Sequence, residues 1–129
     1  AEIPLDPYIT EFIRVRKEDC AILSGNLDCW VAPLLDKLGC RAYLSTSCRH
    51  NGSLSLNSIL DKGAAVADLA RSGRRVVAIG ESANDLPMFR AAAARVAFAG
   101  VHEPVPEILR LADYVARDGK TLCALLESL

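Results

Sequence analysis

Short apolar runs and helix-patterned stretches of about ten residues take turns along this chain, and that alternation limits the fold more than any other feature. "CAILSG" (20–25), "RAYLSTS" (41–47), "RRVVAIG" (74–80), "RVAFA" (95–99) and "DYVA" (113–116) are strand-like. The cores of the first and third are unbroken apolar runs, the kind a parallel sheet buries on both faces. Helical spacing is predicted over 7–18, 27–39, 61–73, 84–94, 104–112 and 120–129. Strands alternating with helices imply βαβ units, hence an α/β domain of three αβα layers around a mostly parallel, Rossmann-like sheet. One domain over residues 1–129 accommodates this, with no repeat or linker.

Punctuation residues support these boundaries. Gly39 and Gly73 stop helices, Asp28 is placed to cap one, and Pro33 marks its first turn or a kink. Asn51-Gly52, ahead of alternating Leu54 and Leu56, signals a hairpin over 48–58.

Composition narrows the function classes. Hydrophobic residues make up 51% of the 129, charged residues 24%, and the net charge is −1. Such a chain can fill a core, and it lacks the basic excess of a nucleic-acid or anionic-membrane binder. No apolar run approaches the roughly 20 residues of a membrane span. Glu2, Pro4 and Asp6 break up the N-terminus, so no signal peptide is expected. The five cysteines, Cys20, Cys29, Cys40, Cys48 and Cys123, form no CxxC pair and no Cys/His metal spacing. Most of them read as buried thiols in a reducing cytoplasm.

In open parallel sheets, ligands bind beyond the carboxyl ends of the strands. Ser24, Gly25 and Asn26 follow the first strand, Glu81 and Asp85 follow "VVAIG", and Lys62 opens the helix before that strand. A hydroxyl with backbone N–H groups around a glycine suits one phosphate oxygen, and an ammonium suits another. Two carboxylates at a strand end offer the hard oxygens that Mg²⁺ prefers. Each also has a plainer reading: Ser24 as a turn residue, Lys62 as a solvated helix residue, Glu81 and Asp85 as caps of the next helix. His50 and His102 lie in polar contexts without a partner at catalytic spacing.

"AILSGNLDCWVAPLLDKLG", "DKGAAVADLARSGRRVVAIGESANDLPMFRAA" and "ADYVARDGKTLCALLESL" resemble the haloacid dehalogenase superfamily, in its phosphoserine-phosphatase-like branch. The resemblance runs from about residue 3 to the end, and it implies roles for the residues it matches. Ser24 would bind the transferring phosphoryl group, Lys62 would steady it, and Glu81 with Asp85 would hold Mg²⁺. Glu81 stands where the family usually has Asp. The family's first motif, Asp-x-Asp-x-Thr, whose first Asp is the nucleophile, finds only an echo in "DPYIT", with Asp6 and Thr10 in place and Tyr8 for the second Asp. In a better alignment, Asp6 is a turn residue opening a helix. The family's central first strand and its cap are then missing from this chain.

Three functions follow from the resemblance: a degenerate phosphatase fold kept for binding, regulation or assembly; a Mg²⁺-dependent phosphomonoester hydrolase with its nucleophile at Asp6 or on a partner chain; and a protein-interaction module, with Trp30 near its surface. A phosphorylated small molecule is the expected ligand. The gap in the sheet has three expected solutions: direct pairing of the flanking strands, a strand from a partner such as a second copy in a homodimer, or a longer chain.

Overall fold

The computed structural model describes residues 6–27, 36, 38–50, 53–58 and 60–129. Most of the predicted helix over 27–39, with Asp28, Trp30 and Pro33, lies outside them, as do the hairpin tip Asn51-Gly52 and Cys29. Their contacts group into two compact units, residues 11–62 and residues 6–10 with 63–129.

In the first unit, β1 (Ala21–Leu27) pairs in parallel with the start of β2 (Arg41–His50), and the end of β2 pairs antiparallel with β3 (Ser53–Ser58). The order is β1-β2-β3. His50 faces Ser53 across the tip, as a two-residue Asn-Gly connection requires. Strand β1 does not stop at Ser24-Gly25 as the sequence suggests. It continues to Leu27 through an irregularity: Ser24 partners Leu44 and Leu27 partners Ser45, so Gly25 and Asn26 bulge out of register.

The second unit contains α2 (Lys62–Arg71, whose Lys62 falls in the first unit), β4 (Val77–Gly80), a 3₁₀ turn (Ala83–Asp85), α3 (Leu86–Ala91), β5 (Ala94–Phe98), α4 (Pro106–Leu111), β6 (Tyr114–Ala116) and α5 (Gly119–Ser128). β4, β5 and β6 form an all-parallel sheet in chain order. Its centre is dry: Val96, Ala97 and Ala116 are fully buried, as are Phe89 of α3 and Ile108 of α4. Leu122 of α5 packs on Val96 and Ala116, with Ile9 of α1 (Pro7–Val15) beside them. Helix α3 ends earlier than its alanine run suggests. Ala92 is extended (φ −82, ψ 155), and Ala94 instead enters β5, where it is buried. Burial in the sheet overrides alanine's helix preference.

The strands thus form two three-stranded sheets, and among the described residues no ladder joins β1 to β4. Each is an edge strand of its own sheet.

Candidate functional site

The turn after β4 is built around Asp85, the one charged residue that is buried among those described. Its Oδ2 accepts from the N–H of Glu81 at 3.0 Å, the N–H of Ser82 at 3.2 Å and the hydroxyl of Ser82 at 3.3 Å. The carboxylate therefore folds back over the mouth of its own strand. Gly80 makes room for it, since a Cβ there would lie 2.8 Å from Asp85 Cβ and from Oδ2. No real Cβ tolerates such a contact, so the glycine is required by close approach and not by its backbone angles. The Ser82 hydroxyl also meets Asn84 Oδ1.

Glu81 is held by its backbone. Its N–H goes to Asp85, and its carbonyl accepts from Val105 N–H at 2.9 Å. Its side chain is different, because Oε2 is buried with no hydrogen-bond partner. A buried acceptor without a donor is costly, and a carboxylate oxygen more so. Such an atom suits a hard cation. The fit to Mg²⁺ rests on Glu81, because Asp85 Oδ2 already serves three donors in the turn. Among the described residues, no three His, Cys, Asp or Glu side chains gather as a metal cluster.

The other predicted residues belong to other elements. Ser24, Gly25 and Asn26 belong to the irregular end of β1. Lys62 is the half-buried first residue of α2. Asp6 caps α1: its Oδ1 accepts from the N–H of Tyr8 at 2.8 Å and of Ile9 at 3.1 Å, while its carbonyl accepts from Thr10 N–H and Thr10 Oγ1. The same carboxylate lies against Gly119, where an added Cβ would be 2.3 Å from both oxygens. The geometry thus joins Glu81 to Asp85 and gives Asp6 a capping task.

Sequence reasoning missed the tether from Val105 to Glu81. A partial signal existed in "PVP" (104–106): Val105 carries the only N–H of that tripeptide, so one backbone donor there has to find an acceptor.

Residues 1–90 match the family model of haloacid dehalogenase-like hydrolases. Among solved structures, a probable phosphoserine phosphatase from Vibrio cholerae aligns with a TM-score of 0.77 and 25% identity, over 98% of this chain and 43% of that one. A phosphoserine phosphatase captured as a phospho-aspartyl intermediate analogue aligns with a TM-score of 0.71 and 25% identity, over 93% of this chain and 60% of the other. The cobalt-bound deoxy-D-mannose-octulosonate 8-phosphate phosphatase of Haemophilus influenzae, 19% identical, shares the fold with a TM-score of 0.74 over 99% of this chain and 74% of that one. The chain thus spans less than two thirds of the phosphoserine phosphatases it resembles. No curated protein sequence matches it significantly.

Proposed function

This chain belongs to the haloacid dehalogenase-like hydrolases, and on that premise we propose that it binds a phosphorylated small molecule together with Mg²⁺ without turning it over by the family's mechanism. The observation that carries the reading is Glu81 Oε2, a buried carboxylate oxygen with no donor to satisfy it. Mg²⁺ there would neutralise charge on a phosphate oxygen. The family resemblance gives phosphate binding to Ser24, to the Gly25 and Asn26 backbone and to Lys62, all residues of the first unit. Asp85 acts by orientation, because its carboxylate accepts from the Glu81 N–H and from the N–H and hydroxyl of Ser82, which holds the turn that carries Glu81. The only nucleophile candidate at the family's spacing, Asp6, is committed to capping α1. A cytoplasmic, capless protein is part of this reading.

A second reading is a complete Mg²⁺-dependent hydrolase whose nucleophile comes from a partner chain. It is supported by the share of the phosphoserine phosphatases that this chain leaves uncovered, and by the open edges of β1 and β4, which suit a strand from a second copy or another protein.

Titration calorimetry with Mg²⁺ in the presence of inorganic phosphate separates these readings from a plain α/β scaffold. Binding should weaken at least tenfold in Glu81→Gln. Equal binding by both proteins, or none by either, would remove the cation from the proposal. Steady release of phosphate from p-nitrophenyl phosphate, abolished by Lys62→Ala, would favour the hydrolase.

A further inference from the structure

Among the described cysteines, Cys20, Cys40 and Cys123 are free thiols, each half-buried and not fully buried as the sequence suggests. Cys123 is engaged, its thiol donating to the carbonyl of Tyr8 at 3.4 Å. The other two share a special placement. Cys20 immediately precedes Ala21 and Cys40 immediately precedes Arg41, and Ala21 and Arg41 are register partners at the start of the parallel β1–β2 ladder. Extending that register by one residue would set the two cysteines opposite each other. Neighbouring strands run about 4.7–4.9 Å apart, within the roughly 4.4–6.8 Å between Cα atoms that a disulfide spans. In a parallel pair the pleats alternate in step, so residues in register project to one face.

We propose that Cys20 and Cys40 form an intramolecular disulfide when the protein meets a low-molecular-weight disulfide such as oxidised glutathione. One Cys thiolate attacks the small disulfide, forms a mixed disulfide and expels one thiol. The second Cys thiolate then attacks the protein sulfur and expels the other. Two protein thiols lose two electrons, one small disulfide gains them, and the two thiol protons end on the two released small thiols.

The backbone can accommodate the bond. Both cysteines directly precede the first ladder pair, and Gly39, at φ 68, supplies a flexible joint directly before Cys40. The electrostatics set its character. Burial pushes the Cys20 thiol up, with Cys40 and Asp19 adding to the rise and Arg16 opposing it, and burial likewise pushes Cys40 up. Neither thiolate is stabilised, so exchange is slow near neutrality and speeds up as pH rises. For the same reason the reduced form gains little, and the disulfide, once formed, resists reduction. The closed ring spans residues 20–40 and so encloses Ser24, Gly25 and Asn26. Oxidation would tie together the two chain ends that flank the proposed phosphate-binding stretch.

The test is to incubate the whole protein with oxidised glutathione at pH 8, block free thiols with iodoacetamide, and map tryptic peptides without reduction by tandem mass spectrometry, whose fragments assign the bridged sulfur within peptide 18–37, where Cys20 and Cys29 lie together. A Cys20–Cys40 crosslinked peptide is expected. The melting temperature should rise by roughly 10 °C, revert with dithiothreitol, and stay unchanged in Cys20→Ser and Cys40→Ser. Quantitative alkylation of both cysteines after oxidation, or crosslinks that pair either one with Cys29 or Cys48, would overturn the proposal. The peptide map uses the unmodified protein, so a variant that fails to fold leaves it decisive.

Discussion

Asp85 gives the sharpest test of how the β4 turn is held. If its carboxylate acts as a shared acceptor for the turn, then Asp85→Ala strands two backbone amides, those of Glu81 and Ser82, bonded at 3.0 and 3.2 Å. A hydrogen bond to a charged acceptor contributes about 1.5–3 kcal/mol, and an unsatisfied buried amide costs about 1–3 kcal/mol. The two amides share one oxygen and belong to half-buried residues that water can partly reach, so about 2–4 kcal/mol is expected in total. Asp85→Asn keeps an acceptor oxygen in the same place and should cost about 1 kcal/mol. Urea unfolding followed by far-UV circular dichroism reads both. With a slope of roughly 2 kcal/mol per molar, the midpoint should fall by about 1–2 M for the alanine variant and about 0.5 M for the asparagine variant. Both measurements are made in EDTA. If Asn were as damaging as Ala, the charge and not the acceptor would hold the turn. If Ala were harmless, the turn would be fixed by Gly80 and the packing of α3.

Gly119→Ala should expel the Asp6 carboxylate, because the new Cβ falls 2.3 Å from both of its oxygens. A loss of about 1–3 kcal/mol in urea unfolding is expected, and much less in an Asp6→Ala background, where the clash has no partner. Asp118 is exposed and accepts from Thr121 N–H at 2.7 Å at the start of α5, and this bond holds its carboxyl below the usual range. The charged form is favoured when folded, so its contribution is complete above the unfolded value near ~3.9 and fades as pH falls through the lower folded value. Asp118→Asn should remove that part of the acid slope in thermal melts between neutral and strongly acid pH, and an unchanged slope would mean the cap carries no charge dependence.

What the sequence makes legible here is local. β4, β5 and β6 were readable because each is a short apolar run beside a helix with its own stop, and Glu81 and Asp85 stood out because the glycine before them ends such a run. Asn51-Gly52 marked a hairpin whose strands pair as expected. What stayed hidden depends on residues far apart in the chain. No local pattern reports that β1 slips by two residues past Ser24 or that the strands divide into two sheets, because ladder partners are set by packing. Burial of Glu81 Oε2 is equally invisible, since a carboxylate in a polar stretch reads as solvated until its surroundings are known.

The unit that contains β4, β5 and β6 also takes in residues 6–10, and Tyr8 meets Cys123 across nearly the whole chain. A ribosome releases the first of these partners long before the second. At about 5–20 residues per second, Ile9 waits roughly 5–20 s for the α5 residues it packs against. Throughout that interval the opening turn of α1 lacks the α5 side of its core, whereas residues 11–62 are already synthesised. Chaperone capture during synthesis should therefore concentrate on nascent chains that have passed residue 62 but not yet released α5, and ribosome profiling of chaperone-bound chains would map that window.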